Sequence, residues 1–317
     1  MRASLSTWYE GLFVHDPWTN VYALARSLTA AALLITLSFN SVDTLFAPNE
    51  AWESPKCDGW LRWGGLFCVA PSLAWGKALA VVVLLLVVIG YLPRWTALPH
   101  VWVSVSLHNS MSMTEGGDQI AAIIALLISP IALLDSRRWH WTFKGGPVSI
   151  NRSGEIRRMI ANTSAMLIRL QVSVIYLHAA IGKLAVEEWV NGTAVYYWVH
   201  DPQFGPSGLR ATVAEAVVST ALGVVLLTWG TLVLELALAY GLVASAPLRK
   251  ALFWAGVLFH AGIAMVLGLV TFGITMSGAL LLYLWPRESS PDINVHEYLY
   301  RRFSKRFGGY DKSDMKG

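Results

Sequence analysis

Charge is scarce in this chain. Only 14% of its 317 residues are charged, against 55% hydrophobic, and the mean hydropathy is +0.50. Soluble domains carry roughly 25% charge, so this balance excludes an ordinary soluble domain and points to a polytopic membrane protein. Cysteine is scarcer still, with two residues, Cys57 and Cys68. No internal repeat or low-complexity tract is visible. There is no metal-ligand spacing of the His-Glu-x-x-His kind, no phosphate loop and no nucleophile elbow, so no metal is expected. The formal net charge of +4 is concentrated in a few loops. That pattern reads as membrane topology rather than nucleic-acid binding.

Long apolar runs are what the chain has instead. They predict an all-α polytopic bundle of about eight transmembrane helices. The spans fall at 21–46, 74–92, 98–113, 120–134, 161–183, 228–246, 251–267 and 270–285. A further apolar helix is expected over 211–227, as an interfacial or re-entrant element or a ninth span. The 15 tryptophans and 11 tyrosines suit interfacial belts. Three regions follow: an interfacial N-terminal segment at 1–20, a transmembrane domain at 21–285 and a basic tail at 286–317. Residues 1–20 hold Trp8, Tyr9, Glu10, Asp16 and Trp18 ahead of the first long apolar run, so no cleavable signal is expected.

Loop charge sets the expected orientation. Arg137, Arg138, Lys144, Arg152, Arg157 and Arg158 lie in one loop, and Arg287, Arg301, Arg302, Lys305 and Arg306 in the tail. Both should be cytoplasmic, with both termini inside. Three loops are then left outside: 47–73, 114–118 and 184–210. The first holds both cysteines. An oxidising compartment favours a Cys57–Cys68 disulfide, as a structural staple or as a redox-active pair.

The most informative residue is Lys183, at the end of a span. An ammonium in a membrane usually faces a protein interior or a wet cavity. Taking a lysine out of water disfavours its charged form, which is how such a residue becomes a base. Snorkelling to the interface is the alternative. Arg169, Tyr176 and Lys183 are seven apart and share a helical face, with Gln171 and His178 on a neighbouring line. Glu187 is in reach of Lys183 if the helix continues. The third span is unusually polar, with His108 and Asn109 before Gly116-Gly117-Asp118. Asp118 can cap a helix starting at Gln119 or Ile120. His108 could tune Lys183 or accept a proton, or be a satisfied core histidine. Glu235 and His260 lie in later spans, and His260 or Arg169 are candidate partners for Glu235.

These motifs together resemble a known family. They are His108-Asn109 with Gly116-Gly117-Asp118-Gln119, and Tyr176-x-x-Ala179-x-Ile181-Gly182-Lys183-Leu184 with Trp189-x-x-Gly192. The pattern is similar to the horizontally transferred transmembrane (HTTM) domain shared with vitamin K-dependent γ-glutamyl carboxylase. Gly90-Tyr91-Leu92-Pro93-Arg94 and Leu134-Asp135-Ser136-Arg137-Arg138-Trp139-His140-Trp141 resemble its SdpB branch. That branch comprises bacterial membrane proteins encoded with secreted peptide toxins and required for their maturation.

The resemblance implies roles. Lys183 matches the base that starts hydroquinone oxygenation, and His108 lies in the segment of the histidine that assists it. Gly182 falls where the carboxylase has another lysine. The carboxylase's lumenal substrate-binding domain has no counterpart here, so quinone chemistry is a firmer expectation than glutamate carboxylation. The expected protein is a maturation factor in the bacterial inner membrane for a secreted antimicrobial peptide. Its site would open outward, with Lys183, His108 and Tyr176 catalytic and a membrane quinone or hydroquinone as cofactor. Asn109, Asp118, Arg169, His178, Glu187, Glu235 and His260 would line a polar cavity or hold substrate. The expected partners are the peptide, a small protein of the same toxin system and the bilayer. Two alternatives are a non-enzymatic export, chaperone or immunity component, and a thiol-disulfide factor using Cys57 and Cys68.

Overall fold

The computed structural model describes residues 16–48, 55–112, 114–142, 152–202 and 204–285. Most of the expected N-terminal segment, Lys144 and the basic tail lie outside these residues. The described chain is helical, without strands. Eight helices of 15 residues or more form the bundle: α1 (Asn20–Phe39), α5 (Leu73–Ile89), α6 (Pro93–Ser110), α7 (Gly116–Leu133), α8 (Arg152–Leu184), α12 (Ala221–Tyr240), α13 (Ala246–Leu267) and α14 (Val270–Leu284). Short helices α2 (Val42–Leu45), α3 (Leu61–Gly64) and α4 (Leu66–Val69) fill one connection. Three more, α9 (Glu187–Val190), α10 (Ala194–Val199) and α11 (Leu209–Val218), fill another. By length and composition α1, α7, α8, α12 and α13 can cross a membrane; α5 and α14 are apolar but shorter.

Why the helices start and stop where they do is local chemistry. Thr19, Ser72 and Thr220 each accept a backbone N–H at the start of α1, α5 and α12. Gly90 ends α5 at φ 80°, where a Cβ would lie 2.0 Å from the His140 ring. Glycine is therefore required there by conformation and by contact.

Three expectations need correction. The segment 211–227 is not one helix. It breaks at Ser219 and Thr220, because the Thr220 hydroxyl accepts from Gly223 N and opens α12. What remains, α11, has ten residues and a length of about 15 Å, about half the hydrocarbon thickness. The basic loop is shorter than expected, since α8 already begins at Arg152. Helix α7 begins at Gly116 with Glu115 as its cap, three residues before Gln119, and Asp118 sits inside its first turn.

Two apolar cores result. One lies among α1, α7, α8, α12, α13 and α14 and includes Ile124, Ile168, Val172, Tyr176, Leu238 and Tyr283. The other lies among α1, α2, α4, α5, α6 and α7 and includes Leu33, Leu84, Val103 and Leu107. Outward apolar side chains remain on α5 (Leu79, Val82, Leu85), α8 (Leu170, Val174, Leu177, Ile181) and α12 (Leu222, Leu226, Val233). Such broad exposed apolar faces suit lipid contact. Cys57 is bonded to Cys68 ahead of α5.

Candidate functional site

Lys183 occupies the last turn of α8. Its Nζ donates to both carboxylate oxygens of Glu235 on α12, at 2.7 and 2.9 Å. The Lys183 side chain keeps 24% of its surface exposed and Glu235 only 7%. The ammonium also lies 5.2 Å from the Trp189 ring centroid, a cation–π distance. The chain after α8 thus folds back over the pair.

Two turns earlier on the same face of α8 is Tyr176, buried to 2%. Its hydroxyl is 2.8 Å from Nε2 of His260 on α13. His260 is flanked by Phe259 and by Phe272 of α14, at centroid distances of 5.1 and 5.2 Å. Glu235 interacts electrostatically with Tyr176, and Lys183 with His260, so the two pairs form one cluster. Nδ1 of His260 is buried without a hydrogen-bond partner. With Tyr176 donating to Nε2, Nδ1 carries the proton and is a free donor; in the other tautomer it is a free acceptor.

The surrounding geometry follows from the chain. Residues seven apart on α8 share a face, which puts Tyr176 and Lys183 together. Thr228, seven residues before Glu235, accepts from Val195 N at 3.2 Å and seats α10 on α12. Helix α14 returns past α13, and Phe272 meets the start of α7. A Cβ on Gly117 would lie 2.8 Å from the Phe272 Cα, so that approach needs glycine.

The other expected site residues are dispersed. His108 is on α6 near Lys56, and no hydrogen bond or ion pair to Lys183 is described for it. Its Nδ1 is buried without a partner. Asn109 is exposed and donates to the Val105 carbonyl at 2.7 Å. The Asp118 carboxylate accepts from Glu115 N at 3.1 Å and completes a capping box. Glu115 in turn accepts from the Thr271 hydroxyl at 2.6 Å, tying α7 to α14. Arg169 lies within electrostatic reach of Tyr283. The partner that Glu235 shows is Lys183, at both oxygens, and His260 is paired with Tyr176 instead. His178 and Glu187 are exposed. α8 stops at Leu184, one turn short of Glu187, so the continuation that would have brought Glu187 to Lys183 does not occur.

A second polar cluster was not anticipated. Arg26, at 0% exposure inside α1, donates from Nη2 to the Thr96 hydroxyl at 2.9 Å, while Nε and Nη1 have no hydrogen-bond partner. Electrostatic contacts link it to Tyr22, His100 and His140. A lone arginine inside the first apolar run was the available signal. Nearby, Leu92 N donates to Arg138 O at 2.8 Å and His140 N to Gly90 O at 3.0 Å. Trp141 Nε1 donates to Ile89 O at 2.9 Å. The two short motifs around Gly90 and His140 therefore pack against each other. His140 lies in the turn outside the spans. Burial, then the positive charges of Arg26 and Arg137, push its imidazole down to about 2.

Known proteins carry the same region. The HTTM domain family matches residues 149–287. The chain is 34% identical over 306 residues to sporulation-delaying protein SdpB of Bacillus subtilis (strain 168), covering 93% of this chain and 92% of that protein. It belongs to the SdpB family of HTTM-domain membrane proteins. It is also 36% identical over 295 residues to the uncharacterized protein YitO of Bacillus subtilis (strain 168), covering 92% of each. No solved structure matches it. The HTTM match contains Tyr176, Lys183, Glu235 and His260, whereas Arg26 and His108 precede it. The four-residue cluster of this SdpB-family chain therefore lies wholly inside its HTTM region.

Proposed function

We propose that this SdpB-family protein is a membrane maturation factor for a secreted antimicrobial peptide, with the Lys183–Glu235 pair as its acid–base unit. The observation that carries the reading is the two-pronged contact of Nζ with the Glu235 carboxylate at 2.7 and 2.9 Å, beside Tyr176 and His260. Lys183 has no lone pair while it is an ammonium. Transfer of one proton along the 2.7 Å bond to Glu235 leaves a neutral amine beside a neutral acid. The amine then takes a proton from an acidic O–H or C–H of the substrate, and the resulting anion lies next to an ammonium. A low-dielectric surround narrows the gap between ion pair and neutral pair, because it disfavours isolated charge.

A quinone or hydroquinone needs apolar walls and a polar partner for its oxygen. Phe259 and Phe272 flank His260, whose Nδ1 is buried and unpartnered, so the residues present fit such a ring. His260 would hold it, Tyr176 would fix the imidazole tautomer and Lys183 would take the proton. When bound, the ring would supply redox chemistry.

One observation favours a second reading. Each member of the Lys183–Glu235 pair satisfies the other, which suits a staple between α8 and α12 in a non-enzymatic export, chaperone or immunity component. Mass spectrometry of the secreted peptide separates the two. Cells with wild type should release a peptide whose mass differs from that in Lys183→Ala cells, at matched membrane levels. Equal mass with altered amount would replace the enzyme by the export reading. Lys183→Arg keeps the charge but gives a guanidinium that does not release its proton, so it should fail as an enzyme and pass as a staple.

A further inference from the structure

The chain between α8 and α11 builds a concavity beside the Lys183 cluster. Its volume is about 440 Å³, and it is walled by Trp189, Tyr197, Trp198 and Phe204 with Glu188 and Asp201. It is a constructed turn. Thr193 N donates to Glu188 O at 2.8 Å, and Gly192 takes a φ of 85° between α9 and α10. Phe204 N donates to the Asp201 carboxylate at 2.7 Å, and Gly205 N to Asp201 O at 2.8 Å. The Trp198 and Phe204 rings meet at an inclination of 53°, 6.2 Å between centroids. Trp189 belongs both to this wall and to the cation–π contact with Lys183.

We propose that this concavity binds a lysine or arginine side chain of a peptide and thereby presents the neighbouring peptide bond region to the Lys183 cluster. The inference rests on the reading that the protein acts on a peptide. Aromatic faces attract a cation through their ring quadrupoles, and two carboxylates add direct charge attraction. Among the described residues, no cationic side chain lines the cavity; Lys183 touches one wall through Trp189, but its charge is paired with Glu235. A belt of tryptophan and tyrosine anchoring the protein in lipid would explain the rings alone. It would not place Glu188 and Asp201 among them, since carboxylates repel anionic headgroups. A cavity of this size takes one or two extended residues rather than a folded domain.

The test uses the full chain in lipid nanodiscs and two probes, acetyl-Gly-Lys-Gly-amide and its norleucine analogue. Binding is followed by isothermal titration and by tryptophan fluorescence. The lysine probe should bind at least about tenfold more tightly than the norleucine probe, and less tightly as salt rises. The double variant Glu188→Gln/Asp201→Asn should abolish that preference. Both changes keep side-chain shape, and the amide introduced in place of the Asp201 carboxylate retains an oxygen for Phe204 N. An unchanged melting temperature checks the fold. Equal binding of the two probes, or a preference that survives the double variant, overturns the proposal. The peptide mass experiment is independent. Charge-selective binding without a Lys183-dependent mass change would keep this site and remove the reaction. A mass change without charge-selective binding would do the reverse.

Discussion

The Glu235 carboxylate accepts hydrogen bonds from Lys183 at both oxygens, across a sequence separation of 52 residues. One cation and one anion, each weakly accessible to solvent, thus join α8 to α12. Removing either partner strands the other. Lys183→Met or Glu235→Leu should each destabilise the protein by about 3 kcal/mol, the low end for a buried pair, since Lys183 keeps some exposure. The double variant Lys183→Met/Glu235→Leu should be close to wild type in stability yet inactive in peptide maturation. Thermal unfolding in detergent, alongside the peptide mass, checks both. Additive losses in the double variant would show that the two residues are not coupled.

Tyr176→Phe removes the hydroxyl from Nε2 of His260. The imidazole is then without a partner at both nitrogens inside the bundle. The expected cost is about 1–3 kcal/mol in unfolding free energy. Tyr176→Phe/His260→Leu, which removes both polar groups, should recover part of that loss. Maturation should fall in both variants if the imidazole orients substrate.

Acid should weaken the fold at the His140 turn. Its folded-state pKa is depressed to about 2, with burial, Arg26 and Arg137 all opposing the proton. The unfolded chain takes up that proton below about pH 6.5, and the folded one does not. The contribution is therefore nil above about pH 7. Stability should fall by up to about 1.4 kcal/mol per pH unit below about pH 6.5. His140→Gln should flatten this part of the profile of melting temperature against pH. A variant profile parallel to wild type from pH 7 to 5 would refute the assignment.

The disulfide closes a loop with a sequence separation of 11. Cys57→Ser/Cys68→Ser should lower stability by about 3 kcal/mol on the chain-entropy estimate. Lys183-dependent maturation should survive at permissive temperature. If it vanishes while the melting curve stays cooperative and near wild type, the dithiol becomes the reactive group and Lys183 the support.

Much of the architecture is legible in the sequence. In lipid the backbone must satisfy its own hydrogen bonds, so long apolar runs become helices and their positions can be read from the sequence. Lys183 near a helix end and Tyr176 on its face follow from the helical period alone. The break at Ser219 and Thr220 was harder to see. The apolar run continues through it, and only the capping hydroxyl interrupts the helix. Arg26 is masked in the sequence for a related reason: one charge barely alters the average hydropathy of the run 21–46, although that charge decides what its neighbours must do.

What the sequence by itself determined is the helical bundle, the scarcity of charge, the pairing option for its two cysteines and the identity of the lysine worth testing. The tertiary structure alone decided the partners. Glu235 could have met His260 or Arg169, and His108 could have met Lys183, because nothing local separates these choices. Helix rotation and packing depth resolve them, by carrying Glu235 to Lys183 and His260 to Tyr176 from segments 52 and 84 residues away. Local propensity acts within a few residues, whereas contacts between helices are set by how whole faces fit.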